Sequence, residues 1–192
     1  IMNNHIYRAN MGVWLDWMAQ GAQVKNNVMH NNSLDIFLEV NHGPTLVSNN
    51  ILLSETSLLM NSGGAAFAHN LFGGKIDVVH YDARLTPYMK PHSTYVVALH
   101  DNPGGDIRFV NNLFVDGGDA SQYSKTLLPV VFDGNVYPKG AVMINKDQGQ
   151  KKMGEMNDRA AAQMKQYKEQ DALEKNAIVK DSFDTSAVLS RQ

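Results

Sequence analysis

An asparagine that returns at a nearly regular spacing, each time followed by short apolar residues, constrains the fold of this chain more than any other feature. The recurring residues, doublets in the first three cases, are Asn3-Asn4, Asn26-Asn27, Asn49-Asn50, Asn70, Asn112 and Asn135. Successive steps are 23, 23, 20, 42 and 23 residues. Because 42 is twice 21, that step predicts two turns, one of them without its asparagine. Such a period indicates a solenoid of stacked turns.

The length and composition of these turns are typical of a parallel β-helix, in which each turn contributes short strands separated by Asn or Gly corners. Asparagine tolerates left-handed backbone angles, and stacked amides can form a hydrogen-bonded ladder. A leucine-rich repeat has a similar period but needs leucine at fixed positions, which these turns lack. We therefore expect an all-β, right-handed parallel β-helix over residues 1–145, from which Tyr81 to Ser93 protrude as a loop on one face.

The composition changes near residue 145, which predicts a second region. Residues 146–192 contain 17 of the 36 charged side chains (17 basic and 19 acidic), whereas residues 1–145 contain 17 of the 19 asparagines. Apolar residues then recur three or four positions apart, at Met153, Met156, Ala160, Met164 and Tyr167. This spacing indicates an amphipathic helix between residues 151 and 175. We expect a C-terminal α-helical tail docked on the body, with a partner-binding helix as the alternative.

Charge and composition exclude several classes of function. The net charge of -2 argues against a protein that binds nucleic acid by neutralising phosphates. The absence of cysteine excludes disulfide frameworks, zinc knuckles and thiol catalysis. The longest apolar runs are far shorter than a membrane span. We therefore expect neither a nucleic-acid nor a membrane partner.

Two acidic residues one repeat apart form the candidate site. Asp16 lies 12 residues after Asn4, and Glu39 lies 12 residues after Asn27, so the acids occupy the same position on successive turns. Neighbouring strands lie about 4.8 Å apart, which predicts carboxyl groups within about 5 Å of each other. Strand alternation predicts that the inward residues are Val13, Leu15, Ile36, Leu38 and Val40, and that the outward ones are Trp14, Asp16, Phe37 and Glu39.

This spacing of carboxylates is the one that a retaining glycosidase uses. One carboxylate attacks the anomeric carbon, and the other first donates a proton and later activates water, at a separation of about 5 to 5.5 Å. Two alternatives remain open at this point. The acids could be ordinary solvated residues, although like charges are unfavourable cross-strand neighbours, or they could hold a structural calcium ion. We expect no other metal and no cofactor.

Four segments resemble the β-helix domain of glycoside hydrolase family 120, the β-xylosidases: GVWLDW (12–17), NNVMHN (26–31), DIFLEVNHGP (35–44) and NNILLS (49–54). The resemblance implies that Asp16 is the nucleophile and Glu39 the acid/base. It also implies that the substrate is a β-1,4-xylo-oligosaccharide cleaved at its non-reducing end. Family members are several hundred residues longer. The resemblance therefore implies a C-terminal part of such an enzyme, whose partner is the missing N-terminal part or a second copy.

Seven further residues are predicted to contact the oligosaccharide. Trp14 and Phe37 are expected to pack against a sugar ring, and Asp35, which aligns with Gly12, is expected to face outward into the same pocket. Trp17 should point inward by strict alternation, but it ends its strand and can turn toward the site. The residues expected to hydrogen-bond sugar hydroxyls are Asn41, His42 and His92.

Two rival functions complete the predictions. A polysaccharide lyase would fit a β-helix by analogy of fold. It requires a basic residue, however, and the outward face around Asp16 and Glu39 shows no Lys or Arg in the sequence pattern. A non-catalytic carbohydrate-binding β-helix would bind sugar even after both carboxylates are removed.

Overall fold

The chain forms a parallel β-solenoid of about five turns, as the asparagine repeat predicts. A computed structural model describes residues 1–90, 92–115, 126, 128–138 and 176–180. In chain order its strands are β1 (His5–Tyr7), β2 (Met11–Leu15), β3 (Gln23–Lys25), β4 (Val28–His30), β5 (Leu34–Glu39), β6 (Thr45–Ser48), β7 (Ile51–Leu52), β8 (Thr56–Asn61), β9 (Gly63–Ala68), β10 (Leu71–Phe72), β11 (Lys75–Val78), β12 (Asp82–Met89), β13 (Val96–Asn102), β14 (Gly105–Val110), β15 (Leu113–Phe114), β16 (Val130–Asp133), β17 (Val136–Pro138) and β18 (Ile178–Lys180). In these ranges no helix is long and apolar enough to cross a membrane.

Three parallel sheets form the faces of the solenoid. Sheet 1 has the strand order β1-β4-β7-β10-β15-β17-β18. Sheet 2 has the order β2-β5-β8-β11, and sheet 3 has the order β3-β6-β9-β14-β16. The registers of β1 with β4 and of β2 with β5 both join residues 23 positions apart, such as His5 with Val28 and Val13 with Ile36. The sequence repeat is therefore one turn of the solenoid.

A ladder of asparagine amides, buried at every position after the first, stacks the turns at the corner before sheet 1. Its members are Asn4, Asn27, Asn50, Asn70, Asn112 and Asn135. At each step the side-chain oxygen of the later asparagine accepts hydrogen bonds from the backbone N–H and the side-chain amide of the earlier one. The residue before each ladder position has a positive φ, from 54° at Asn111 to 66° at Gly134. The doublet thus supplies both a left-handed corner and an amide for the ladder.

Aromatic stacks fill the interior where the later turns lie. Phe67, Phe109 and Phe132 of sheet 3 stack in succession, with ring centroids 4.6 and 4.9 Å apart. Phe72, Phe114 and Tyr137 of sheet 1 form a second stack, with centroids 5.2 and 4.9 Å apart. All six side chains are buried. Identical positions on successive turns therefore place similar rings above one another.

The 42-residue step between Asn70 and Asn112 is one turn with an insertion, so the expectation of two turns is wrong. Leu71 pairs directly with Leu113, and the Asn70 amide bonds to Asn112 across 3.0 Å. The extra residues form an antiparallel hairpin of β12 and β13 instead of a loop. A spacing of 42 cannot distinguish two turns from one turn with an insertion, because both return the chain to the same corner.

The solenoid extends beyond the predicted boundary at residue 145. Ile178 to Lys180 pair in parallel with β17 as the last strand of sheet 1, and the Asn176 amide bonds to Asp133. Asn176 also has a positive φ of 58°, like the first asparagine of each doublet. The predicted helix between residues 151 and 175 lies outside the described residues.

Candidate functional site

The outward surface of sheet 2 carries the predicted carboxylates and is called here the carboxylate face, defined by Trp14, Asp16, Phe37 and Glu39. The predicted alternation holds at Val13, Ile36 and Leu38, which are buried, and at Trp14, which is 52 % exposed. Trp14 pairs with Phe37 in the sheet, and their rings stack with centroids 5.9 Å apart. The two rings therefore form an aromatic surface beside the acids.

Asp16 and Glu39 continue the same register. Leu15 and Leu38 are the last paired residues of β2 and β5, so the two acids are the next residue on each of two adjoining turns. Glu39 remains in its strand and pairs with Asn61 of β8. After Asp16 the chain turns, because the Asp16 carbonyl accepts the Ala19 N–H and its carboxylate accepts the Trp17 N–H at 2.7 Å.

Trp17 faces solvent, so the inward orientation that strict alternation predicts for it is wrong. Its side chain is 58 % exposed, and Met18, the next residue, has a φ of 69°. The turn after Asp16 breaks the strand alternation that would have directed Trp17 inward. Trp14 and Trp17, the two tryptophans of the chain, thus lie on either side of Asp16 in sequence, and both are exposed.

Each carboxylate oxygen of Glu39 accepts a hydrogen bond. The indole N–H of Trp14 donates to Oε2 at 2.9 Å, and Arg84 Nη1 donates to Oε1 at 2.9 Å. The Glu39 side chain is 14 % exposed. An anion with two donors in a largely enclosed position is held in one orientation. Glu39 is therefore fixed by one group of the solenoid and one of the hairpin.

Arg84 overturns the expectation that no basic side chain lies near the acids. Its Nε and Nη2 donate to Asp82 at 2.7 to 3.0 Å, and Asp82 also accepts the Asn61 amide. These hydrogen bonds from Arg84 hold the pKa of Asp82 far below its ordinary value, and Asp82 in turn raises the pKa of Arg84. The sequence pattern does not indicate this contact, because Arg84 lies 45 residues from Glu39 on an insertion that is not part of the repeat.

Asp35 is buried, so the expectation that it faces outward into the sugar pocket is wrong. Its side chain is wholly inaccessible and accepts hydrogen bonds from the Asn32 amide and from the N–H and hydroxyl of Ser54. Burial raises the pKa of Asp35, and these bonds offset the rise in part. The corner residues Asn32 and Ser54 of two turns cover the start of β5, where alternation alone predicts exposure.

Asn41 is also a structural residue, and the expectation that its amide binds sugar is wrong. It is 1 % exposed. Its side-chain amide donates to the Leu15 carbonyl at 3.1 Å, and its backbone N–H donates to the Ser62 hydroxyl. Its carbonyl accepts the amide of Asn102, at the end of the hairpin. Asn41 thus ties together three turns and the base of the insertion.

Of the two candidate histidines, His42 contacts the hairpin from the solenoid and His92 lies on the hairpin itself. His42 Nε2 lies 2.6 Å from the Thr86 hydroxyl, and its ring meets Tyr88 and His100 edge to face. His92 is exposed near the hairpin tip, where it has a φ of 57°. His42 therefore serves as a contact between the solenoid and the hairpin, and the binding role predicted for His92 remains a prediction.

Among the residues of the described ranges, no three His, Asp or Glu side chains are grouped as a metal site would require. The charged cluster at the carboxylate face consists of Glu39 and Asp82 with Arg84 between them. A calcium ion held by Asp16 and Glu39 stays a prediction.

Comparison with known proteins relates the chain to a sugar-bound structure. No protein-family model matches this chain, and no curated protein matches it. A solved structure of XylC in complex with xylose is similar, with a TM-score of 0.70 and 31 % sequence identity. The alignment covers 96 % of this chain and 29 % of XylC, so this chain spans less than a third of the length of XylC.

Proposed function

We propose that this chain carries the catalytic carboxylates of a retaining, exo-acting β-xylosidase. In this proposal Asp16 is the nucleophile, Glu39 is the acid/base, and the substrate is a xylo-oligosaccharide. The observation that carries the proposal is the register of β2 and β5, which gives Asp16 and Glu39 the same position on adjoining turns of one exposed face. The likeness to XylC, a protein solved with xylose, supports a carbohydrate substrate.

In the first step the Asp16 carboxylate attacks the anomeric carbon and forms a covalent glycosyl-enzyme. The bond to the leaving oxygen breaks as Glu39 donates its proton to that oxygen. In the second step Glu39 removes a proton from water, the water oxygen bonds to the anomeric carbon, and the Asp16 carboxylate leaves. The exposed rings of Trp14 and Trp17 provide apolar surface for the sugar beside Asp16.

Two hydrogen bonds hold the Glu39 carboxyl group in place for both of its roles. Trp14 donates to Oε2 and Arg84 donates to Oε1. Each carboxyl oxygen has two lone pairs, so a protonated Glu39 can keep both donors and still direct its O–H at the leaving oxygen. Trp14 and Arg84 therefore position Glu39 both as acid and as base.

Arg84 does not revive the lyase alternative. A lyase needs a base that removes a proton, and a guanidinium remains protonated at every physiological pH. Asp82 raises the pKa of Arg84 further. Arg84 therefore does not provide that base.

The test is release of the aglycone from an aryl β-xyloside by the 192-residue chain and by its Asp16→Gly and Glu39→Gln variants. We expect each substitution to lower the rate by about 1,000-fold or more. Azide should restore turnover of Asp16→Gly and yield a glycosyl azide of inverted configuration. Aryl β-glucoside and aryl α-arabinoside serve as matched substrates for sugar specificity.

Two results would contradict the proposal. If the parent cleaves and both variants retain its rate, another face of the solenoid carries the chemistry. If xylose quenches or enhances tryptophan fluorescence but the parent cleaves none of the three substrates, the chain is a carbohydrate-binding module.

A further inference from the structure

The β12–β13 hairpin lies lengthwise along the corner between sheets 2 and 3 and separates two outer surfaces. Its contacts descend through the turns in order: Asp82 bonds to Asn61, Arg84 to Glu39, Thr86 to His42, and Met89 to Gln20. The last contact is reciprocal, because the Gln20 amide also donates to the Met89 carbonyl at 3.2 Å. The hairpin is therefore a fixed ridge along the solenoid.

The carboxylate face lies on one side of this ridge, and a groove of about 430 Å³ lies on the other. We call it the second groove, and its floor and walls include Gln23, Leu46, Ala66, Tyr88, Asp106 and Arg108. Trp14, Asp16, Phe37 and Glu39 do not line it. The two surfaces are thus distinct sites on the same turns.

The floor of the second groove is made of small residues on successive turns. Gly43 and Gly64 have φ values of 71° and 69°, and a Cβ at Gly43 would lie 2.1 Å from the Gly64 carbonyl oxygen. Only glycine permits this approach of the two backbones. Ala66 follows on the outward side of β9, paired with Leu46 on one side and Arg108 on the other. The floor is therefore open and uncharged.

The walls provide planar polar groups and an aromatic ring. Arg108 donates to Asp106 at 3.1 Å, and these two are the charged groups among the described residues that line the groove, so its net charge is zero. Tyr88 stands on the hairpin side, where His42 and His100 contact its ring at centroid distances of 5.7 and 5.4 Å. Gln23 and Arg108 lie three strand spacings apart, about 14 Å.

We infer that the second groove binds a neutral oligosaccharide chain, separately from the carboxylate face. An elongated groove of zero net charge, with one aromatic wall and amide and guanidinium groups along it, suits a ligand that presents hydroxyls on every unit and no charge. The location of the groove is independent of the proposed activity. The choice of xylan as the saccharide, however, rests on the proposed xylosidase function.

The test uses the 192-residue chain with Asp16→Asn and Glu39→Gln, which prevents turnover, and xylohexaose as the probe. Both tryptophans lie at the carboxylate face, so tryptophan fluorescence reports binding there alone. Backbone amide NMR of Gln23, Gly64 and Ala66 reports the second groove. Maltohexaose is the control saccharide. We expect xylohexaose to shift the NMR signals of these amides. The dissociation constant obtained from these shifts should differ from the one obtained by tryptophan fluorescence.

Substitutions in the groove separate the two sites. Tyr88→Ala and Ala66→Phe, which fills the floor, should each weaken the amide titration by about tenfold and leave the fluorescence titration unchanged. Leu85→Ala is the matched control, because Leu85 is an exposed hairpin residue outside the groove lining. If fluorescence saturates but the groove amides do not shift, the inference is overturned and the proposed function stands. If the amides shift but fluorescence does not respond, the proposed function fails and the groove stands.

Discussion

Arg84 Nη1 lies 2.9 Å from Glu39 Oε1, although the two residues are 45 positions apart and belong to different parts of the fold. Glu39 is part of a strand of the solenoid, whereas Arg84 extends from an inserted hairpin. Asp82 fixes the other edge of the guanidinium with hydrogen bonds of 2.7 to 3.0 Å. The candidate site is therefore assembled from the repeat and from an element outside it.

Arg84→Ala should lower the rate of aryl β-xyloside cleavage by about 10- to 100-fold, because Glu39 loses the donor that fixes its orientation. Arg84→Lys should recover part of the loss. Its ammonium restores the positive charge, but it lacks the planar guanidinium that bonds Glu39 and Asp82 through different edges. The measurement is kcat and KM for all three proteins.

Arg108→Ala is the matched control for that experiment. Arg108, like Arg84, is about half exposed and pairs with an Asp two residues before it. Its removal should leave hydrolysis of the short aryl substrate unchanged. A loss as large as that of Arg84→Ala would show that removing any surface arginine disturbs the fold, and would defeat the assignment of a positioning role to Arg84.

Trp14→Phe should reduce the rate by about 3- to 10-fold, the equivalent of one hydrogen bond. Phenylalanine keeps the ring stacked on Phe37 but cannot donate to Glu39 Oε2. Trp17→Phe is the comparison, since the Trp17 indole makes no hydrogen bond to Glu39 in the structure. An equal effect of the two substitutions on kcat would argue that both tryptophans act only as apolar surface.

Asn70→Ala should destabilise the fold by about 2–4 kcal/mol. Asn70 accepts the backbone N–H and side-chain amide of Asn50, and its own amide donates to Asn112 and to the Val47 carbonyl. Removal leaves buried donors without acceptors. Chemical denaturation measures the loss, and Asn4→Ala, at the exposed end of the ladder, should cost about 1 kcal/mol or less. Equal losses would show that the ladder does not act as a buried network.

Asp35 predicts a pH dependence of stability. Its pKa in the folded protein is raised by burial above the ordinary 3.8, so its contribution to stability is fully present below 3.8 and is lost as the pH rises through the raised value. Asn at this position does not titrate. The difference in melting temperature between the parent and Asp35→Asn should therefore be most in favour of the parent in acid and shift toward the variant at neutral pH.

The control is Asp77→Asn, because Asp77 is a surface residue paired with Lys75. It shows how the melting temperature depends on pH when an exposed carboxylate is removed instead of a buried one. If the Asp35→Asn difference is constant from acid to neutral pH, Asp35 has an ordinary pKa and its burial is compensated in full by Asn32 and Ser54.

Much of the carboxylate face could be predicted because the repeat is local information. The spacing between doublets equals one turn, so Asn4 and Asn27 fix the register in which Asp16 and Glu39 follow. Alternation along β5 then placed Phe37 and Glu39 outward. It failed for Asp35, since residues from two corners cover the first part of that strand.

The parallel solenoid and the asparagine ladder follow from asparagine recurring at the period of one turn, and the equivalence of Asp16 and Glu39 follows from their equal distance from two of these asparagines. In contrast, the single turn spanned by the 42-residue step and the contact of Arg84 with Glu39 are visible only in the folded chain. An insertion has no partner in the repeat. Its path is set by contacts with residues far along the chain, and no periodicity in the sequence records those contacts.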